Sequence, residues 1–206
     1  MTAPLKLPDA ILLEGIVTTD SADGSCNISP MGPIVDWPIT RLRLRPFQGS
    51  TTFANLRRTG RGVLNVTDDV ELIACAAIGQ LTPQPPLVQL PGGGRYLANA
   101  CRWYDFKVES LDDSAERTDI ECHVVGQGTL RDFFGFNRAK HAVIEAAILA
   151  TRVGILPEND IRAELHRLAP LVEKTGSRAE HRGFRLIVEY VDEAIAAASR
   201  PAGADA

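Results

Sequence analysis

A strand of alternating arginines leads into a segment rich in hydroxyl side chains. Residues 41–45 read Arg-Leu-Arg-Leu-Arg, and a β-strand with this alternation carries its arginines on one face and its leucines on the other. Three like charges in a row repel one another unless something of opposite charge lies close. Two interpretations follow, an anion site or a solvated strand face paired with nearby Asp and Glu.

The residues that follow favour the anion site. Residues 46–49 turn the chain, and Ser50 or Thr51 is a suitable N-cap for a helix that should end near Gly60. A helix start offers free backbone N–H groups and the positive end of the helix dipole, and the hydroxyls of 50–52 add donors. The pattern indicates a phosphate cradle, although capping without any ligand would use the same residues.

The segment 27–33, Asn-Ile-Ser-Pro-Met-Gly-Pro, is a second candidate element. Its two prolines lack N–H donors, which predicts a position at the edge or rim of a sheet. The remaining N–H groups there are free to bond the edge of a planar ligand. Met31 could lie against an aromatic face.

A third candidate opens a helix after the aromatic turn 133–136. Asn137 can cap this helix, and Arg138 and Lys140 place two cations in its first turn, where they oppose the helix dipole. An anion or an acidic partner nearby would explain them, and so would a salt-bridge cluster between domains. His141 and Glu145, four residues apart, suit either an acid–base pair or a buried structural pair, and we favour the structural pair.

The overall composition limits the classes of function. The chain has 206 residues, of which 45% are hydrophobic, and its formal charge is −4, so we expect a globular protein without a global field for nucleic acid. No apolar run approaches the roughly 20 residues that cross a bilayer, and we expect a cytoplasmic protein. No metal site is expected, because the cysteines and histidines lack ligand spacing. The cysteines are interpreted as small reduced hydrophobes.

The elements that must position these residues change type along the chain. Strands are predicted at 11–19, 25–29, 41–45 and 62–67, with a turn at Asp23-Gly24, a hairpin of 102–111 and 118–126, a short helix at 71–79 and a loop at 82–94. Helices are predicted at 137–153 and 157–175, the second with a kink or break at Pro170, and from Ser177 onward. We divide the chain into residues 1–132 and 133–206.

Several motifs together resemble one known family. EGIVTTD at 14–20, NISPMGP at 27–33 and LRPFQGSTTFANLRRTGRGVLNVTDD at 44–69 resemble the flavin-reductase-like FMN-binding split-barrel proteins. The segments 98–108 and 131–152 narrow the likeness to a branch found in archaea and some bacteria and catalogued as a domain of unknown function. The resemblance implies an α+β fold, with a six-stranded antiparallel split β-barrel that binds FMN followed by a small all-α C-terminal domain.

The same resemblance implies where the cofactor binds and what the protein does. It assigns the FMN phosphate to Arg45, Ser50, Thr51, Thr52 and Asn55, and the ring system to Asn27, Ser29, Met31 and Gly32. It implies a homodimer with FMN near the interface, and a flavin-dependent oxidoreductase whose hydride donor is a nicotinamide or deazaflavin. The alternative is a non-catalytic FMN-binding or regulatory module. No catalytic residue is assigned.

Overall fold

The computed structural model describes residues 5–198, which form two compact units. The strands are β1 (Ile11–Leu12), β2 (Gly15–Asp20), β3 (Cys26–Met31), β4 (Ile34–Val35), β5 (Arg41–Leu44), β6 (Arg61–Val66), β7 (Leu87–Gln89), β8 (Arg95–Leu97), β9 (Arg102–Asp112) and β10 (Asp119–Thr129). The helices are α1 (Thr51–Thr59), α2 (Val70–Ala77), α3 (Arg138–Ala150), α4 (Glu158–Thr175) and α5 (Arg178–Ala198).

The first unit, the barrel unit, comprises residues 1–68 and 83–133 and contains one large antiparallel sheet. Its strand order is β1-β4-β5-β10-β9-β6-β2-β3, with β1 and β3 at the two edges. Six of these strands have four or more residues, whereas β1 and β4 have two each. The α+β class, with a curled antiparallel half-barrel and C-terminal helices, confirms the expectation from the sequence.

The barrel core explains the alternation seen along the strands. Leu42 and Leu44 of β5 are fully buried, and the intervening Arg43 is not. Because side chains in a strand point alternately to opposite faces, the leucines join Phe106 and Ile120 in one apolar cluster. From outside the sheet, α1 contributes Phe53 to the same cluster. This packing fixes α1 against the barrel.

One connection in the barrel unit follows the turn chemistry of the chain, and another does not. Gly24 adopts a φ of 83° in the turn between β2 and β3, as Asp23-Gly24 predicts. The segment 82–94, expected to be a loop, contributes β7 to a short hairpin with β8. That expectation was wrong because β7 is too short for its period to be read, and the two strands are stabilised by pairing with each other.

The second unit, the helical unit, comprises residues 69–82 and 134–206, so α2 groups with α3, α4 and α5. The division drawn from the sequence at 132/133 had left 69–82 with the barrel. A kink or break was expected at Pro170, and no break is present, because α4 continues through it to Thr175. Pro170 is exposed, whereas Leu168 and Val172 on either side are buried and hold the helix in place. On α5, Ile187, Val191 and Ile195 recur every four residues and are buried, so they form one apolar stripe.

Gly62 of β6 marks a point where the barrel has no space for a side chain. A Cβ at this position would lie 2.7 Å from Cζ of Phe106. Gly62→Ala should therefore lower the free energy of unfolding by about 1–3 kcal/mol, the usual cost of overpacking a core. Urea unfolding measures this loss. Gly49→Ala is the control, because nothing lies within 4 Å of its Cβ, and an equal loss there would contradict the packing argument.

Candidate functional site

The start of α1 presents unused backbone donors. Ser50 is the N-cap, since its Oγ accepts a hydrogen bond from the Phe53 N–H at 3.2 Å and donates one to the Phe47 carbonyl at 2.7 Å. Within residues 5–198, the N–H groups of Thr51 and Thr52 have no hydrogen-bond partner. The first turn also contains no acidic side chain. This helix start can therefore accept an anion from solvent.

A buried polar network lies beneath this helix start. Thr52 and Asn55 are 2% and 5% exposed. Asn27 Nδ2 of β3 donates to Thr52 Oγ1 at 3.0 Å and to Thr19 Oγ1 at 3.3 Å, and Asn55 Nδ2 donates to Thr19 Oγ1 at 3.1 Å. The structure thus brings together Asn27, Thr52 and Asn55, three of the residues that the sequence assigned to FMN. The side-chain amide groups of Asn27 and Asn55 already donate within the protein.

Thr19 is the residue in this network that the sequence did not single out. Its Oγ1 accepts hydrogen bonds from both amides, and Asn55 also donates to Ser21 Oγ at 3.3 Å. Thr19 lies in a run of strand-forming residues, where a threonine is ordinary. Only its pairing with Asn27 across β2 and β3 distinguishes it.

The residues assigned to the ring system lie on β3 or directly after it, at the edge of the sheet. Ser29 lies on β3, and its Oγ is 3.4 Å from the Pro30 carbonyl. Met31 is half-buried and packs against the barrel core. A Cβ on Gly32 would lie 2.6 Å from Leu12 and 3.1 Å from the Glu14 carboxylate. The edge position predicted from the two prolines is present, since β3 ends the strand order.

The arginine row on β5 is matched by carboxylates on β10. Arg43 pairs with Asp119 at 2.7 Å, Arg41 lies 3.4 Å from Glu121, and Arg45 lies 3.3 Å from Asp119. Burial raises the pKa of Glu121, and the two neighbouring arginines oppose that shift. The second interpretation of the alternation, a strand face paired with acids, therefore describes this row. Arg45 is about half exposed and shares Asp119 with Arg43.

The candidate residues at the start of α3 connect the ends of three helices. Asn137 Oδ1 caps α3 by accepting from Lys140 N at 3.1 Å, and its Nδ2 donates to the Thr175 carbonyl at the end of α4. Lys140 Nζ lies 2.8 Å from the Glu180 carboxylate near the start of α5. Arg138 is exposed. The side chains of Asn137 and Lys140 thus already take part in a polar cluster within the helical unit.

The environment of Glu180 strongly favours its ionised form. Burial opposes ionisation, but hydrogen bonds from Lys140 and from the Ser177 hydroxyl and N–H outweigh it and lower the pKa to about 2. His141 and Glu145, expected as a buried pair, are both exposed, and no hydrogen bond joins them. The packed face of α3 consists instead of alanines and Val143.

The described residues contain no group of three His, Cys, Asp or Glu side chains that could hold a metal ion. The four cysteines are free thiols, and burial raises the pKa of Cys26 to about 11. A thiol with a raised pKa is a poor nucleophile. Among the helices in residues 5–198, none is both long and apolar enough to cross a membrane.

The Glu180 cluster gives a pH-dependent prediction. Glu180→Gln should lower the free energy of unfolding near neutral pH by about 1.5–3 kcal/mol, the usual contribution of hydrogen bonds to a charged group. Because its folded-state pKa is below its ordinary value of 4.5, the carboxylate stabilises the fold above pH 4.5, and this contribution is lost as the pH falls toward 2. Urea unfolding should show the difference between wild type and variant shrinking over that range.

The control for this experiment is Glu189→Gln on the same helix. Its exposed carboxylate lies 3.9 Å from Arg185, so the loss should stay below about 1 kcal/mol. A stability difference for Glu180→Gln that did not change with pH would contradict the assignment.

Comparison with solved structures places this fold among known ones. An FMN-bound protein from Methanosarcina mazei matches with a TM-score of 0.76 and 24% identity, over 87% of this chain and 94% of that one. A flavin reductase domain protein from Arthrobacter sp. FB24 matches with a TM-score of 0.51 and 14% identity, over 59% and 79%. At these identities the likeness establishes the fold.

Two family models together match most of the chain. The model described as "Protein of unknown function (DUF447) N-terminal domain" covers residues 13–131, and "Protein of unknown function (DUF447)" covers residues 137–189. The two matches follow one another along the sequence, and they agree with the branch that the motifs resembled. This chain therefore belongs to the DUF447 family.

Proposed function

We propose that this chain binds FMN at the junction of α1 and β3 and uses it as an oxidoreductase. The M. mazei structure, which shares the fold over 87% of this chain, is FMN-bound. The sequence motifs independently resemble FMN-binding split barrels. FMN would supply the electron-transfer chemistry, and the protein would supply binding, orientation and electrostatics.

The observation that carries the proposal is the contrast between the helix starts. In their first turns, α2, α4 and α5 carry acidic residues of their own, such as Glu71, Glu158 and Glu180. α1 and α3 have none there, but Lys140 in the first turn of α3 pairs with the Glu180 carboxylate. At α1, the N–H groups of Thr51 and Thr52 lack partners in the described chain. A phosphate dianion supplies the negative charge that this helix start lacks. The exposed Thr51 hydroxyl adds a donor.

The proposed phosphate and ring residues play unequal parts. Ser50, Thr51 and Thr52 supply the helix start, and Asn55 and Asn27 hold it to the sheet. Arg45 would add positive charge through its partly exposed guanidinium. Ser29 and Met31 lie on the edge strand β3 and Gly32 follows it, and we assign the ring system to this segment. For Asn137, Arg138 and Lys140, cofactor binding stays a prediction from the sequence, since two of them serve the helical unit.

The proposal includes a homodimer. Ile11 and Leu12 on edge strand β1, and Trp37 after β4, are exposed apolar side chains, Trp37 being 84% exposed. Leu12 also lies against Gly32. A second copy that covered this surface would lie beside the proposed ring site.

The hydride donor would have to reach the flavin directly. No G-x-G-x-x-G motif follows a strand, so a nicotinamide or deazaflavin would stack on the ring without a dinucleotide-binding domain. The barrel unit has one histidine in its described part, His123, and it pairs with Glu109 at 3.2 Å on the long hairpin. His123 is thus already engaged on that hairpin. The second candidate function is an FMN-binding module without turnover.

Anaerobic reduction separates the two candidates. Protein loaded with FMN is mixed with NADH, NADPH or a reduced deazaflavin, and the flavin absorption band is followed. Bleaching by one donor supports the oxidoreductase. Tight binding without bleaching by any donor supports the non-catalytic module. Failure to bind FMN at all contradicts both.

A charge placed at the start of α1 tests the phosphate site. Thr51→Asp should lower FMN affinity by about tenfold or more through repulsion of the phosphate. The same change should raise the thermal stability of the FMN-free protein, since an acid in the first turn contributes about 0.3–1 kcal/mol. Fluorescence titration and thermal unfolding measure the two effects.

Thr59→Asp at the other end of α1 adds the same charge and is the control. It should destabilise the helix, because an acid opposes the dipole at a helix C-terminus, and it should leave FMN affinity unchanged. Equal loss of affinity in both variants, or none in Thr51→Asp, would show that the phosphate lies elsewhere.

A further inference from the structure

One face of α5 carries a row of basic side chains that the proposed FMN site does not use. Arg178, His181, Arg182 and Arg185 are spaced three and four residues apart, so they lie on one face of the helix. All four are exposed. They line a cavity of about 460 Å³ together with Gly176 and Ser177. We call these four residues the α5 basic face.

The positive charge of this face is only partly neutralised. Arg182 forms a two-pronged pair with Glu71, at 2.8 and 2.7 Å, through its Nε and Nη2 atoms. Arg185 lies 3.9 Å from Glu189, at the limit of an ion pair. Within residues 5–198, Arg178 and His181 form no ion pair. Like charges three and four residues apart destabilise a helix, so this arrangement lowers the stability of α5 when no anion is bound.

The ion pair with Glu71 orients the Arg182 side chain but uses only some of its N–H donors. A guanidinium has five N–H donors, and a carboxylate on the Nε–Nη2 edge leaves the Nη1 donors free to point elsewhere. α5 is fixed against α2 here, since a Cβ on Gly183 would lie 3.2 Å from the Glu71 backbone. The Arg182 side chain is therefore held in one place at the cavity wall. Such preorganisation favours binding of a ligand.

The spacing and size of the cavity indicate the class of ligand. Arginines three or four residues apart are separated by about 4.5–6 Å along the helix axis, which suits an anion with two adjacent charged groups. Guanidinium groups match phosphate oxygens in bidentate geometry. A volume of about 460 Å³ lies within the range of small-molecule sites.

We propose that the α5 basic face binds a small molecule that carries a diphosphate group. Arg178 and Arg185 bind it from the two ends of the cavity, Arg182 contacts it from the wall, and the Ser177 hydroxyl lies at the rim. The site is built within the helical unit, and it does not depend on the proposed FMN cradle being correct.

The test is a calorimetric titration of the full-length protein with inorganic pyrophosphate at low ionic strength. Wild type should bind saturably with one site per chain on the α5 face. Arg178→Gln combined with Arg185→Gln should weaken binding by about tenfold or more, because two charged contacts are lost. Thr51→Ala, at the proposed flavin phosphate site, should leave this binding unchanged.

A matched control separates a site from general charge attraction. Arg152→Gln combined with Arg167→Gln changes the net charge equally within the helical unit and should alter affinity by less than about twofold. Absence of saturable binding, or equal weakening in the control, would overturn the proposal. So would binding that depends on the α5 basic face for citrate, single-stranded DNA or anionic vesicles but not for pyrophosphate.

Discussion

Two amide side chains that donate to one hydroxyl hold the candidate site together. Thr19 Oγ1 accepts hydrogen bonds from Asn27 and Asn55, and Asn27 also donates to Thr52. A buried amide without partners costs about 1–3 kcal/mol, so these groups must stay paired. Because they belong to β2, β3 and α1, the pairing fixes the helix start beside the edge strand. The proposed phosphate and ring positions both depend on that placement.

Many charged side chains in the described chain lie close to a partner of opposite charge, so the places without one are informative. The arginine row of β5 faces carboxylates on β10, and Lys140 pairs with the buried Glu180. Against this background, two features stand out, the start of α1 with its free N–H groups and the basic face of α5. They differ in kind, since backbone donors shape the first and flexible side chains the second. The two proposed anion sites can therefore be tested separately.

Local sequence patterns predicted most elements. Where these predictions failed, packing between residues distant in sequence determined the structure. The Ser50 and Asn137 caps, the turn at Gly24 and the alternation of β5 all follow from neighbouring residues. A kink or break was expected in α4 at Pro170, but the helix continues unbroken, with buried residues packed on either side. The grouping of 69–82 with the helices depends on contacts distant in sequence, and local patterns carry no signal for it.

The sequence by itself determined the fold class, the family and the identity of the hydroxyl-rich helix start. These follow from periodicity, capping chemistry and motif order, which are properties of short segments. Only the tertiary structure decided how the arginines of 41–45 are used, because their acidic partners lie more than 70 residues away on β10. It also decided that Thr19 joins Asn27 and Asn55. Hydrogen bonds and ion pairs depend on distance in space, and only the folded chain fixes those distances.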